Sequence, residues 1–255
     1  KDRLRYKDIL SIAQLALPEE WYGKEFTYFH QDETDRGTRP ISEELGLLCY
    51  LSAYGKMHRD KIRIALSNMN LAEMCTSNIN IVDWGCGQGL ATFVFLDYLA
   101  EQGIECEVDS ITLIEPSALA IENAELFLTQ RQKDENTQIR TINKLFGDLS
   151  ERDFEGIGSG ATFHLYSNIL DVPGINMKEL SSWLNVFPTK DNYIISASPK
   201  YWSGDERIRT FFSYLNNARI LWSREESNKA YNEWGVNFTF NIKIAHIHSV
   251  LERVK

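Results

Sequence analysis

The sequence predicts an α/β protein: a doubly wound, mostly parallel sheet of about seven strands, with helices on both faces and an N-terminal helical extension. From Ile79 onward, short apolar runs with strand character alternate with longer runs of helical periodicity, an order typical of parallel sheets. Three glycines in five residues separate the first such strand from the helix after it. The 255 residues are 43% hydrophobic and 25% charged, which is enough to bury the core of one such domain.

Residues 1–78 form the predicted extension and are expected to be mainly helical. In LRYKDILSIAQLAL the apolar residues have helical spacing, and this helix should stop at Pro18. An irregular segment rich in aromatic and charged residues continues to Pro40. Ser42 is expected to cap the next helix, which should end at Gly55 in a left-handed conformation. The stretch MHRDKIRIALSNM predicts a separate helix after it.

Residues 79–255 carry the alternation of strands and helices. Five strands are predicted in INIVDW, DSITLIEP, QIRTINKLFGDL, ATFHLYSNIL and NYIISASP. Four helices are predicted in GLATFVFLDYLAEQG, ALAIENAELFLTQ, MKELSSWLNVF and ERIRTFFSYLNNA, the second of them capped by Ser117. The segments ILWSREES and VNFTFNIKIAHIHSVLERV are expected to close the sheet as an antiparallel pair.

Composition narrows the classes of function. The formal net charge is −9, and an acidic body argues against broad nucleic-acid binding, which needs phosphate neutralisation. No apolar run is long enough to cross a bilayer, so no membrane contact is expected. The four cysteines show no C-x-x-C spacing, which indicates reduced thiols and a cytoplasmic location. These cysteines are Cys49, Cys75, Cys86 and Cys106.

The glycines of the first strand–helix turn are Gly85, Gly87 and Gly89. Ligands of doubly wound sheets bind at the carboxyl ends of the strands, and glycine lets a ligand approach the backbone. The dinucleotide fingerprint is G-x-G-x-x-G, but Leu90 occupies the position of its third glycine here. Asp83 precedes the turn, where a carboxylate is unfavourable for a pyrophosphate and suited to a cationic amine. Both features count against a dinucleotide at this turn.

The segment VDWGCGQG resembles the first motif of class I S-adenosylmethionine-dependent methyltransferases. The resemblance implies that Asp83 and the glycine turn hold the methionine end of S-adenosylmethionine. It implies that Glu115, in ITLIEPS, binds the ribose and that Asp148, in LFGDLS, contacts the adenine amine. The implied cofactor-binding residues are Asp83, Gly85, Cys86, Gly87, Gly89, Glu115, Pro116, Asp148, Leu149 and Asn168. Residues 79–255 would then be a Rossmann-like methyltransferase domain, and residues 1–78 would cap the substrate.

In this family the bound methyl group points to the end of the fourth strand, and the candidate catalytic residues there are Asp171, Asn168 and Tyr166. Methyl transfer needs positioning and a base to take a proton from the acceptor. His164 is interpreted as a core histidine, and a turn role for Asp171 is an equal alternative. The Asn/Asp-Pro-Pro-aromatic and Pro-Cys signatures of nucleic-acid methyltransferases do not occur in this segment. The acceptor therefore stays open among a protein, a small molecule and RNA.

Two other functions compete with methyl transfer. A nicotinamide-dependent oxidoreductase would use a related sheet, but Asp83 and Leu90 count against it. A non-catalytic scaffold or cofactor-binding domain of a larger assembly would keep the fold without turnover, and the lack of an unmistakable catalytic residue keeps this alternative open.

Three further clusters are given structural interpretations. A basic cluster in the extension is interpreted as a solvated helix face, with local phosphate or nucleic-acid contact as the alternative. His246 and His248 alternate on a late strand, but no acidic or thiol partner stands at a recognisable spacing, so no metal site is predicted. Aromatic residues in the irregular segment are expected to pack together or to cover the site as a lid. The basic residues are His58, Arg59, Lys61 and Arg63, with Arg36 and Arg39; the aromatic ones are Trp21, Tyr22, Phe26, Tyr28 and Phe29.

Overall fold

The computed structural model describes residues 3–17, 34, 37–132, 136–187, 191–200, 202–231 and 237–248, with backbone alone for 202–203, 227–231 and 237–238. Most of the predicted irregular segment and its aromatic residues, together with Arg36 and the predicted strand beyond residue 248, lie outside these residues. Among the helices described, none combines the length and the apolar character needed to cross a membrane.

A seven-stranded sheet organises the fold and confirms the predicted class. The strands are β1 (Ile79–Trp84), β2 (Val108–Ile114), β3 (Gln138–Ile142), β4 (Ala161–Ser167), β5 (Asp191–Ser198), β6 (Ala218–Tyr231) and β7 (Asn237–His248). Their order is β3-β2-β1-β4-β5-β7-β6. The first five are parallel to their neighbours, and β7 pairs antiparallel with both β5 and β6. The order reverses between β1 and β4, so their carboxyl ends form the switch point where ligands bind in such sheets.

Helices cover both faces of the sheet. They are α1 (Tyr6–Ala16), α2 (Glu44–Ser67), α3 (Leu71–Met74), α4 (Leu90–Glu101), α5 (Ala118–Arg131), α6 (Met177–Ser182) and α7 (Trp202–Ser213). Apolar side chains of α1, α2, α4 and α5 share one buried cluster with one face of the sheet. Side chains of α6 and α7 share a second cluster with the other face. Because α4 is apolar nearly all round, it is buried almost along its whole length.

The N-terminal helices differ from the prediction in two places. One helix, α2, runs from Glu44 to Ser67 without a break, so the expected end at Gly55 is wrong. Glycine occurs there because α1 crosses closely: a β-carbon on Gly55 would lie 2.4 Å from Leu10 Cδ2. The Tyr6 hydroxyl donates a 2.7 Å hydrogen bond to the Gly55 carbonyl. The expected cap at Ser42 is also wrong, because α2 starts one residue later and has no side-chain cap.

A buried ion pair between α4 and α5 holds the start of α1 through two hydrogen bonds. Arg131 lies 2.7 Å from Asp97, and their side chains are 4% and 11% exposed. Asp97 Oδ2 also accepts from the Tyr6 backbone N–H, and Arg131 donates to the Leu4 carbonyl. Residues on both sides of position 78 therefore share one core, and the division of the chain at that position stays a prediction.

Candidate functional site

A cavity of about 450 Å³ lies at the carboxyl edge of the parallel strands, a size typical of small-molecule sites. The residues that follow β1, β2, β3 and β4 line it, together with the segment 37–40 that leads to α2. Clefts of about 650 and 780 Å³ lie elsewhere on the surface. Neither of these clefts contains the glycine turn or the strand exits. The lining of the cavity at the carboxyl edge includes Arg39, Gly85, Glu115, Pro116, Asp148 and Ile169.

The three glycines of the turn all have left-handed backbones, with φ of 66° at Gly85, 51° at Gly87 and 74° at Gly89. At Gly89 and Gly87 the absence of a side chain has different consequences. A β-carbon on Gly89 would lie 3.2 Å from Ala124 Cβ, so this glycine lets α4 pack against α5. A β-carbon on Gly87 would meet no atom within 4 Å. The backbone of Gly87 therefore faces open space, as a ligand lying against the turn would require.

Glu115 connects the end of β2 to the glycine turn. Its side chain is nearly buried, and Oε2 accepts a 3.0 Å hydrogen bond from the Gly87 N–H. Oε1 accepts a 2.9 Å bond from the Ser117 N–H. Burial raises the pKa of the Glu115 carboxyl above its ordinary value, although both backbone bonds act in the opposite direction. Each carboxylate oxygen has a second lone pair, so Glu115 can still accept from a hydroxyl in the cavity.

Asp83 lies deeper, at the end of β1, and is only 1% exposed. Its Oδ2 accepts from the Thr92 backbone N–H at 3.2 Å and from the Thr92 hydroxyl at 2.8 Å. Burial raises the pKa of Asp83 to about 7, against the lowering effect of Thr92. The carboxyl therefore satisfies the first turn of α4, and contact with a cationic amine stays a prediction.

The turn after β3 brings Asp148 to the cavity. It ends a short 3₁₀ turn at Phe146–Asp148, and both Asp148 and Pro116 line the cavity wall. Leu149 is turned into the second core cluster and is not among the lining residues. Cys86 is buried within the glycine turn, where its N–H donates to the Ile114 carbonyl at 3.0 Å.

The exit of β4 separates the predicted catalytic residues into two groups. Asn168 and Asp171 lie at the strand end, and Asn168 has a left-handed backbone with φ of 58°, uncommon for a residue with a side chain. Tyr166 instead lies in the second core, where its ring stacks on Trp84 with centroids 5.6 Å apart. Burial raises the pKa of Tyr166 well above its ordinary value. A catalytic role for Tyr166 stays a prediction that its position does not favour.

His164 is a core histidine, as predicted. Its Nδ1 accepts from the Trp84 indole N–H at 3.2 Å, and its Nε2 lies 3.0 Å from Asn192 Oδ1. Burial lowers its pKa to about 4. The ring is therefore neutral, and both of its nitrogens have hydrogen-bond partners within the core.

Lys61 is a buried residue beside the β4 exit that sequence reasoning missed. It projects from α2 to the β4 exit, is only 3% exposed, and its ammonium donates to Asn168 Oδ1. Burial lowers the pKa of Lys61 to about 8, although the nearby Asp171 acts in the opposite direction. The interpretation of Lys61 as part of a solvated helix face is therefore wrong. Arg63 does lie near the surface, in an ion pair of 2.6 Å with Glu101.

An aromatic ladder precedes Lys61 on the same face of α2. Tyr50, Tyr54 and His58 are spaced four residues apart, with ring centroids 5.1 Å apart for the first pair and 6.1 Å for the second. Burial, and then the charge of Lys61, lower the pKa of His58 well below its ordinary value. This four-residue spacing, with a lysine three residues after His58, is the signal that could have identified the inner face of α2.

The extension also contacts the glycine turn directly. Gln88, within the turn, donates a 3.1 Å hydrogen bond to the Leu47 carbonyl of α2. Ser117, which caps α5 as predicted, donates its hydroxyl proton to the Ile41 carbonyl. The start of α2 is therefore held over the carboxyl ends of β1 and β2.

No family model and no curated protein matches the chain. Among solved structures, the magnesium protoporphyrin IX methyltransferase of Synechocystis with bound S-adenosylmethionine shares 15% identity at a TM-score of 0.48, covering 87% of this chain and 94% of that one. The geranyl diphosphate C-methyltransferase of Streptomyces coelicolor A3(2), in complex with S-adenosylhomocysteine, shares 12% at 0.46, covering 82% of each chain.

A third solved structure, the precorrin-6y C5,15-methyltransferase of Geobacter metallireducens, shares 11% identity at a TM-score of 0.44, with 74% of this chain and 86% of that one covered. All three solved structures are methyltransferases.

Proposed function

We propose that this protein binds S-adenosylmethionine in the cavity at the carboxyl edge and transfers its methyl group to an acceptor. The observation that carries the proposal is the nearly buried Glu115 carboxylate, which is hydrogen-bonded to the open Gly87 turn and faces a cavity of about 450 Å³. A carboxylate at the end of the second strand is suited to accept hydrogen bonds from both hydroxyls of a ribose. This chemistry fits a ligand that carries a ribose, such as a nucleoside.

The other cofactor contacts follow from the same placement. Asp148, in the cavity wall, would accept a hydrogen bond from the adenine amine, and Pro116 would lie against the ring. The methionine end would lie along the turn from Gly85 to Gly89, next to Cys86 and Asp83. Asn168 would meet it from the β4 exit, and Leu149 would support the adenine pocket from the core. Once bound, the cofactor supplies an electrophilic methyl group on a sulfonium.

Lys61, Asn168 and Asp171 form the acceptor side of the proposed site. Lys61 is held against Asn168 by a hydrogen bond and lies near Asp171. Because its pKa is about 8, part of the Lys61 population is neutral near neutral pH and can take a proton from an acceptor. Asp171 is the other candidate base. The acceptor class, whether a protein, a small molecule or RNA, is open, and the exposed Arg39 in the cavity wall offers a contact for a phosphate or another anion.

Calorimetric titration tests the cofactor half of this proposal. Wild type, Glu115→Gln and the control Glu122→Gln are titrated with S-adenosylmethionine, S-adenosylhomocysteine and NAD. Glu122 is exposed on α5, so its substitution should leave binding unchanged. Glu115→Gln keeps the shape but weakens the acceptor for the ribose hydroxyls, so affinity should fall about tenfold or more, in line with a charged hydrogen bond of about 1.5–3 kcal/mol.

Failure of both methionine cofactors to bind would contradict the proposal, and binding of NAD alone would favour an oxidoreductase. Binding equal in wild type and Glu115→Gln would place the cofactor elsewhere. If binding is established, labelled methyl transfer to separated protein, RNA and small-molecule fractions of a cell extract tests turnover. Transfer to one fraction identifies the acceptor class, and transfer to none favours a scaffold that binds the cofactor without using it.

A further inference from the structure

Three metal-ligating side chains meet at the junction of β5 and β7, at the opposite end of the sheet from the cavity. Asp191 is the first residue of β5, and it pairs across the antiparallel ladder with His248. His246 pairs with Tyr193, two residues further along β5. Residues two apart on a strand share a face, so the carboxylate and both imidazoles lie on one face of the sheet. Because the cavity lies at the carboxyl edge of the parallel strands and Asp191 starts β5, this cluster is separate from the proposed methyl-transfer site.

The strand pairing corrects the sequence-based interpretation of these histidines. That interpretation found no acidic partner at a recognisable spacing, but β5 supplies Asp191 from a distant part of the chain. Asp191 Oδ1 lies 2.8 Å from His246 Nε2 and 3.0 Å from His248 Nδ1. The three candidate ligand atoms all lie within 4.8 Å of one another.

These separations are close to those of a metal centre. With metal–ligand distances of about 2.0–2.2 Å, tetrahedral ligand atoms are about 3.4 Å apart. Small side-chain rotations would open the two short contacts by roughly half an ångström and admit an ion between the three atoms. The His246 ring is held for this by stacking on Tyr193, with centroids 4.7 Å apart and ring planes 16° apart. The exposed fractions of the side chains are 38% for Asp191, 22% for His246 and 61% for His248, so an ion can enter from solvent.

We propose that Asp191, His246 and His248 bind one divalent transition-metal ion of the zinc type, with water completing its coordination. Two imidazole nitrogens and one carboxylate oxygen are ligands that Zn²⁺ and its neighbours prefer over Mg²⁺ or Ca²⁺. Such an ion would join the first residue of β5 to the end of β7, the antiparallel strand that bridges β5 and β6. Its effect would be to stabilise this side of the sheet.

Direct titration with ZnCl₂ and CoCl₂ tests the site on the purified apo chain. We expect one equivalent to bind with a dissociation constant in the micromolar range or tighter, and bound Co²⁺ to show visible absorption of a nitrogen and oxygen site. His248→Ala and Asp191→Asn should each weaken binding at least tenfold. Asp109→Asn is the matched control, since Asp109 is another partly exposed carboxylate at the start of a parallel strand, away from the cluster.

Thermal unfolding gives a second readout. An ion at a hundred times its dissociation constant stabilises the folded state by about 2.7 kcal/mol, so zinc should raise Tm in wild type and Asp109→Asn and much less in His248→Ala. Because His248 is exposed, its substitution should leave the fold intact. Absence of stoichiometric binding, or binding that survives in His248→Ala and Asp191→Asn but is lost on thiol alkylation, would overturn the proposal. The latter result would place the ion on cysteines.

Discussion

Replacing Lys61 with methionine should change how the stability of the protein depends on pH. The ordinary lysine pKa of 10.5 falls to about 8 in the folded chain because the ammonium is buried. At about 1.36 kcal/mol per pKa unit, the buried cation destabilises the folded state by about 3 kcal/mol relative to the neutral amine.

The sign of the pH effect follows from proton uptake. Between pH values of about 8 and 10.5, the unfolded chain holds more protons on Lys61 than the folded chain. The free energy of unfolding therefore rises with pH across this window. From about pH 7 to about pH 9.5, wild type should gain roughly 2 kcal/mol relative to Lys61→Met. At about pH 7 the variant removes the buried charge but loses the hydrogen bond to Asn168, an opposing effect of about 1–3 kcal/mol. The difference between the two pH slopes is therefore the quantity to measure.

Urea unfolding of wild type, Lys61→Met and the control Lys7→Met at both pH values measures this difference. Lys7 is exposed on α1, so the slope of Lys7→Met should equal that of wild type. Parallel pH profiles for wild type and Lys61→Met would refute the reasoning, because they would mean that Lys61 titrates alike in the folded and unfolded chains. In the proposed function, Lys61→Met should also lose methyl transfer while keeping cofactor binding.

Two further predictions concern the docking of the N-terminal helices, and urea unfolding checks both. Gly55→Ala should lower the free energy of unfolding by about 1 kcal/mol, because the clash with Leu10 of roughly 1–3 kcal/mol exceeds the gain in helix propensity of about 1 kcal/mol. Leu10→Ala should then be less destabilising in the Gly55→Ala background than in wild type. Purely additive effects of the two substitutions would contradict this reasoning. Asp97→Asn should lower the free energy of unfolding by about 3 kcal/mol, because it leaves the buried Arg131 charge without its partner. Glu101→Gln, at the more exposed ion pair with Arg63, should lower it by less than about 1 kcal/mol. Equal losses in the two variants would show that burial does not set the difference.

The local pattern of the sequence was sufficient for most of the fold. The strand INIVDW coincides with β1, and the predicted helix and strand order from there to β7 matches the structure. Each of these elements has an apolar period that does not depend on distant residues. The Ser117 cap was likewise predictable, because its oxygen bonds an N–H three residues away. The same holds for the grouping of Gly85, Glu115 and Asp148 at one cavity, since parallel strands place their carboxyl ends together.

Contacts between distant segments decided the rest. Glycine is a residue type that often ends helices, but Gly55 lies inside α2, where the close crossing of α1 leaves no room for a side chain. Lys61 stands in a charged stretch, and only the docking of α2 on the sheet buries its ammonium beside Asn168. His246 and His248 acquire Asp191 through strand pairing across the sheet. The sequence alone determined the alternation of elements and the grouping of the strand exits at one edge, because hydrophobic period and turn chemistry are local. Which polar groups share a buried or paired environment was decided by the tertiary structure, because burial and long-range pairing depend on how those elements pack.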